Sequence, residues 1–83
     1  MLSEHHDIVH EFPDFEDVIR ALRAADPGFD TTVQRHDELD NEIRELEERQ
    51  QPISDEEIEK LKYERAALKD LIFQRLRAAK TAN

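Results

Sequence analysis

The residues that form turns are few in this chain, and they divide it into one short and two long segments. There are three prolines, Pro13, Pro27 and Pro52, and a single glycine, Gly28. A fold of many short strands needs a turn roughly every 8–12 residues, built largely from glycine, proline and asparagine. The chain is instead rich in Glu, Leu, Arg, Ala and Lys, which favour helices. The sequence therefore predicts a single all-α domain over residues 1–83.

The first predicted helix spans residues 13–25. Pro13 suits the first helical position, and an apolar stripe of helical period follows it, formed by Phe15, Val18, Ile19 and Leu22. Asp26 then offers an N-cap for the next helix. Residues 1–11 lie before this stripe, and we expect them to form a partly ordered arm.

Two long helices are predicted for the rest of the chain, over residues 27–49 and 55–79. Between them, Pro52 disfavours helix at the residue that precedes it. Ser54 and Glu57 then match a capping box, in which the two side chains satisfy backbone donors at the start of a helix. Because the connection has only about four or five residues, we expect the two helices to form an antiparallel hairpin of the coiled-coil type.

The second predicted helix contains the stretch that most resembles a chemical site, HDELDNEI at residues 36–43. Seven acids and one arginine lie between Asp37 and Glu48. The hairpin would place cations of the third helix opposite them, namely Lys60, Lys62, Arg65 and Lys69. Arg65 falls on the apolar seam, where a guanidinium group needs a partner. We therefore predict an ion pair between Asp40 and Arg65 that fixes the register of the hairpin, with Asp37 as the second candidate partner.

The same acids could in principle form a catalytic pair. Two carboxylates act as acid and base where one of them is kept dry and its pKa is raised. These carboxylates lie on a helix with cations nearby, in a fold that leaves little room for an enclosed pocket. The sequence therefore predicts no catalytic residue and no cofactor, and we do not expect an enzyme.

The histidines offer a second candidate site. His6 and His10 are four residues apart, so on a helix they would share one side and could hold a metal ion with Glu11 or a residue of another chain. The HxxxH spacing alone is a weak signal, and the alternative is an arm that is capped by histidine and aspartate side chains. His36 lies on the seam near Leu68, where we expect a hydrogen-bonded core residue that would make the hairpin sensitive to pH.

Charge and composition exclude several kinds of partner. The net charge is −9, which argues against DNA or RNA because nucleic-acid binding depends on clustered Lys and Arg. No stretch of about 20 apolar residues is present, so we expect no membrane partner. The chain has no cysteine, which excludes disulfides and thiolate metal sites. We expect a cytoplasmic protein.

Two helices alone leave apolar surface uncovered, and two arrangements would cover it. Either the first helix folds back to make a three-helix monomer, or two hairpins pair into a four-helix bundle. The predicted seam is broad because it includes Leu71, Ile72 and Leu76, while Phe73 and Tyr63 fall off its centre as exposed side chains. We therefore favour a homodimer.

Several motifs together resemble the YdcH family of small bacterial proteins of unknown function. The resemblance covers about residues 5–76 and rests on HEFPD at 10–14, DPxF at 26–29, ELDxEI at 38–43, SDExxExLK at 54–62 and LKDLI at 68–72. It implies a helical hairpin, either alone or as a dimer, in the bacterial cytoplasm, and it brings no catalytic residues. The leading hypothesis is a scaffold or adaptor that contacts an unidentified protein. The alternative is a regulator that responds to a metal or ligand through the N-terminal histidines.

Overall fold

A computed structural model of the protein describes residues 7–49 and 54–81. Four α-helices and one 3₁₀ turn follow one another along the chain: α1 (Ile8–Glu11), the 3₁₀ turn (Pro13–Phe15), α2 (Glu16–Ala25), α3 (Pro27–Glu48) and α4 (Asp55–Thr81). No strand occurs in the described parts of the chain, so the all-α prediction is confirmed.

A single residue, Asp26, separates α2 from α3. Its backbone is extended, and its side chain accepts hydrogen bonds from the backbone N–H groups of Gly28 at 3.0 Å and of Phe29 at 3.2 Å. These two amides would otherwise lack a partner inside the helix. Gly28 leaves room for this cap, because a Cβ atom there would approach the Asp26 Oδ1 atom to 3.3 Å. The corner between α2 and α3 is therefore sharp.

The N-terminus of α4 is capped by Ser54. Its Oγ atom accepts a hydrogen bond from the backbone N–H of Glu57 at 3.1 Å, which is the serine half of the predicted capping box. Residues 50–53 lie outside the described residues. The helix then continues to Thr81, two residues beyond the predicted end.

Helices α3 and α4 lie side by side and run in opposite directions. Ion pairs between them join Glu47 to Lys62, Asp40 to Arg65 and, at the N-cap of α3, Asp26 to Arg75. The partner on α4 advances as the residue number on α3 falls, which is the pattern of an antiparallel pair.

The main core lies where all the helices meet, at the N-terminal end of α3 and the C-terminal end of α4. It consists of six buried residues: Ile8, Ile19, Phe29, Val33, Ile72 and Leu76. Because Ile8 and Ile19 belong to α1 and α2, the N-terminal segment folds back onto the long helices. Further along α3, Leu39 and Ile43 are also fully buried.

Ile8 is the core residue that sequence patterns did not indicate. It belongs to the segment for which we expected a partly ordered arm, of which residues 7–11 are described. The one-turn helix α1 is capped by Asp7, whose side chain accepts from the backbone N–H of His10, and it buries Ile8 completely. A single apolar residue carries no periodicity, so the pattern could not reveal it.

Two assignments on α4 were wrong. Leu71, which we placed with the apolar seam, is 55% exposed. Phe73, which we expected to be exposed, is half-buried, with its ring stacked on that of Phe12 at 5.2 Å and edge-on to that of Phe15 at 6.3 Å. The N-terminal segment folds back onto the side of α4 that carries Phe73, because Phe12 and Phe15 pack against that ring. This side of α4 is therefore covered, and the side that carries Leu71 is not.

Phe73→Ala tests this aromatic packing. We expect it to lower the free energy of unfolding by about 2–3 kcal/mol, because it removes a half-buried ring and two ring–ring contacts. Tyr63→Ala on the same helix is the control and should change stability by less than about 0.5 kcal/mol. Urea unfolding at low protein concentration, followed by circular dichroism, gives both values, and equal losses would contradict the described packing.

Candidate functional site

The most distinctive surface of the molecule is one side of α4. Six exposed residues recur there at intervals of three or four, so that they share one side of the helix: Lys60, Tyr63, Ala67, Leu71, Gln74 and Ala78. We call this set the outer face. Tyr63 is 80% exposed and Leu71 is 55% exposed, and they lie four residues on either side of Ala67. The outer face therefore presents two large apolar side chains around a small one.

A cleft borders the outer face where α4 meets the start of α3. Its volume is about 460 Å³, and it is lined by Gly28, Phe29 and Thr32 from α3 and by Leu71, Ile72, Gln74 and Arg75 from α4. Arg75 is held at the rim, because its guanidinium group bonds the Asp26 carboxylate at 2.6 Å and lies 5.7 Å from the centre of the Phe29 ring. The cleft extends the accessible apolar surface beside Leu71.

Charged residues follow both edges of the outer face. Glu57 and Arg75 lie along one edge, and Glu59 and Arg77 lie along the other; all four are exposed. The members of each pair are eighteen residues apart, which is five helical turns, so each pair is aligned on one side of α4. Each pair thus has an acid near the N-terminus of α4 and an arginine near its C-terminus, and two further exposed acids, Glu64 and Asp70, lie close to these edges.

Three polar residues of the HDELDNEI stretch, His36, Asp37 and Asp40, lie between helices, whereas Glu38, Asn41 and Glu42 are exposed. His36 is 1% exposed, and its Nδ1 atom lies 3.0 Å from Oδ1 of Asp37. The same carboxylate oxygen accepts a hydrogen bond from the backbone N–H of Ile8 at 3.1 Å. Asp37 therefore caps α1 from another helix and links the N-terminal segment to α3.

The structure brings the predicted pair Asp40 and Arg65 together. Arg65 donates from Nη1 to Oδ1 of Asp40 at 2.9 Å, and Asp40 is 1% exposed. A carboxylate buried to this degree is costly unless it is paired. Asp37, the second candidate partner, is instead occupied with His36 and Ile8. Of the other predicted cations, Lys62 lies 3.5 Å from Glu47 of α3, whereas Lys69 lies 3.2 Å from Glu11 of α1 and not beside the acidic stretch.

Of the three histidine candidates the structure describes His10 and His36, and it places them in different surroundings. His10 lies on the surface, where its Nδ1 atom is bonded to Asp7, whereas His36 is enclosed between helices. His6 lies outside the described residues. Among the described residues, no group of three or more His, Asp or Glu side chains is placed to hold a metal ion.

Sequence patterns did not identify the outer face. Tyr63 was expected to be exposed, but Leu71 was assigned to the seam and Ala67 was not considered. The signal was present in the 3–4 spacing from Lys60 to Ala78, which parallels the spacing of the buried side. In the part of the chain that the structure describes, no helix has the length and apolar character of a membrane span.

Comparison with known proteins gives one match. A family model described as "Protein of unknown function (DUF465)" matches residues 29–76. This range contains most of α3 and α4, with five of the six outer-face residues, and excludes α1 and α2. No curated protein and no solved structure matches the chain. The match confirms the resemblance to the YdcH family.

A double-mutant cycle tests the buried ion pair. We expect Asp40→Asn and Arg65→Met to show a coupling energy of about 1–3 kcal/mol, because either change alone leaves a charged group without its partner. The exposed pair Glu16 and Arg20, joined at 3.1 Å within α2, is the control and should couple by no more than about 0.5 kcal/mol. Equal coupling in the two pairs, measured by urea unfolding, would remove the special role of Asp40 and Arg65.

Acid pH tests the Asp26 junction. The hydrogen bond from Arg75, followed by that from the Phe29 backbone N–H, lowers the pKa of the Asp26 carboxyl from its ordinary value of 3.8. Ionised Asp26 therefore stabilises the fold at pH values above 3.8, and this contribution is lost as the pH falls through the lowered pKa of the folded state.

Asp26→Asn keeps a capping oxygen but removes the charge. We expect the urea midpoint of wild type to exceed that of the variant near neutral pH, and the difference to shrink below about pH 4. A difference that stays constant with pH would contradict the assignment. NMR titration of the Asp26 carboxyl measures its pKa directly.

Proposed function

The chain belongs to the DUF465, or YdcH-like, family of small bacterial proteins of unknown function, and from this premise we propose that it is a cytoplasmic interaction module. Its helices α3 and α4 act as an antiparallel hairpin, α1 and α2 cover one side of that hairpin, and the outer face of α4 receives an α-helix of another polypeptide chain. This function assigns no catalytic residue.

The exposure of Tyr63 and Leu71 on one face is the observation that carries this proposal. Tyrosine is enriched among the residues that dominate binding energy at protein interfaces. On α3, by contrast, the exposed positions after Gly28 are occupied by polar or charged residues throughout. The apolar character of the outer face is therefore not shared by the exposed side of α3.

The spacing of the outer face favours a helix as the ligand. Side chains spaced three or four residues apart line the seam along which two helices interlock, with knobs of one helix in holes of the other, and the outer-face residues follow one another at intervals of 3, 4, 4, 3 and 4. Ala67 at the centre allows the backbones to approach closely, and Tyr63 and Leu71 provide the knobs. A seam from Lys60 to Ala78 has a length of about 27 Å, which is about five helical turns.

The buried polar cluster supports a structural role for the acidic stretch. Asp37 and Asp40 each hold two elements together, one by capping α1 and the other by pairing with Arg65 of α4. In this interpretation the HDELDNEI stretch fixes the position of α4, and α4 carries the function.

Photo-cross-linking from the outer face tests the interaction module. A photoreactive amino acid is placed at Ala67 of the full-length protein, in cells of its bacterial source, and the matched control carries it at Ala24, an exposed alanine of α2. We expect adducts with a protein chain from Ala67 and not from Ala24. Leu71→Asp in the Ala67 variant should abolish them, because it places a charge at the centre of an apolar contact.

Equal adduct formation from the two alanines, or its absence at Ala67, would overturn the assignment of the outer face. Circular dichroism of the Leu71→Asp variant verifies that it keeps the helical fold. Since Leu71 is more than half exposed, we expect this substitution to change stability little.

A further inference from the structure

We propose that the helix received by the outer face is α4 of a second copy of this chain, bound antiparallel around a two-fold axis that passes beside Ala67. This pairing rests on the proposed function and names its partner. The two copies would form an isologous dimer, in which each residue contact occurs twice.

The position of Ala67 makes the outer face complementary to itself. A two-fold axis beside Ala67 places residues that lie equally far before and after it next to each other in the two copies. Tyr63 lies four residues before and Leu71 four residues after, so the tyrosine of one copy packs beside the leucine of the other. Ala67 meets its own counterpart, where a small side chain permits close approach. Large side chains thus meet apolar partners on both sides of the axis.

The charged edges select the antiparallel orientation. An antiparallel two-fold keeps each edge of α4 on the same side of the interface. Glu57 lies ten residues before Ala67 and Arg75 eight residues after it, so the two face each other across the copies with an offset of about 3 Å along the helix. Glu59 and Arg77 do the same on the other edge. The symmetric dimer therefore has four inter-copy Glu–Arg contacts.

A parallel pairing would reverse this pattern. In a parallel two-fold the edges exchange sides, so Glu57 would face Glu59 of the other copy and Arg75 would face Arg77, and like charges at the flanks of a helix pair oppose association. The contacts of Arg75 with Asp26 and Phe29 do not prevent an inter-copy ion pair, since a guanidinium group has five N–H donors. The charge pattern fits a second copy because a ligand that carries the same sequence in reverse order places an arginine opposite each glutamate of these two pairs.

The dimer should be reversible and sensitive to salt. One helix per copy gives an interface at the low end of the roughly 1,200–2,000 Å² that specific complexes bury. Exposed ion pairs contribute only about 0–1 kcal/mol each and are screened by salt. Dissociation should therefore be measurable by sedimentation over an accessible concentration range.

Disulfide trapping tests the geometry, and the absence of natural cysteine makes the readout clean. Lys60 and Gln74 lie seven residues on either side of Ala67, so they face each other only in the antiparallel dimer. Within one chain they are fourteen residues apart, about 21 Å along the helix, which is too far for a disulfide. Lys60→Cys and Gln74→Cys are made separately, mixed and oxidised gently.

We expect the mixed Lys60→Cys/Gln74→Cys disulfide to dominate over either disulfide between identical variants. Ala24→Cys, on an exposed position of α2, is the control for random collision and should give little dimer. Predominant disulfides between identical variants would show a parallel pairing and overturn the orientation. Yields no higher than those of Ala24→Cys, with a monomer by sedimentation, would overturn the second copy as partner.

The single tyrosine gives an independent readout. The chain has no tryptophan, so Tyr63 is its only strong fluorophore, and its quenching by acrylamide reports the exposure of the outer face. We expect quenching to decrease as wild-type protein is concentrated and to remain constant in Leu71→Asp. Constant quenching in wild type as well would contradict the dimer.

Different results would overturn the interaction module and the second copy as its partner. Cross-linking from Ala67 to a different protein, with no disulfide between Lys60→Cys and Gln74→Cys, would retain the interaction module and overturn the second copy as its partner. Absence of both would overturn both.

Discussion

The carboxylate of Asp26 is the point on which the arrangement of the helices depends. It follows α2 directly, caps the first amides of α3, and binds Arg75 of α4, so one side chain fixes three helices. With no other residue between α2 and α3, the N-terminal segment must turn back along the long helices. Ile19 is thereby brought into the core with Phe29. The side of the α3–α4 pair that would otherwise bind another hairpin is covered in this way, and the outer face of α4 is left exposed.

Local patterns predicted the boundaries of the helices better than their packing. The caps at Asp26 and Ser54 depend on neighbouring residues, and both side chains make the expected contacts. The Asp40–Arg65 contact was also predictable, because a charge on an apolar seam has few partners within reach. Each of these features lies within one helix or between two helices with a short connection. Sequence patterns were therefore sufficient to predict them.

The other features depend on how the N-terminal segment packs against the two long helices. Leu71 and Phe73 are two residues apart, and periodicity alone predicted that Leu71 is covered and Phe73 exposed, whereas the structure shows the reverse. Which of them is covered depends on Phe12 and Phe15, which approach from a segment more than fifty residues earlier. The docking of Ile8 likewise depends on Asp37, a contact between α1 and α3 with no local signature. Sequence patterns therefore do not predict the interfaces between distant segments. The outer face is the side of α4 that those interfaces leave exposed.

The acidic stretch HDELDNEI, which stands out in the sequence, and the exposed outer face lie in different parts of the molecule. Asp40 and Asp37 of HDELDNEI hold α4 and α1 against α3, whereas Glu38 and Glu42 of the same stretch are exposed. The burial of Asp40 is costly unless pairing offsets it, and Arg65 of α4 supplies that pairing. The polar cluster of α3 thus holds α4 through Arg65, and the outer face lies on the exposed side of the same α4 helix.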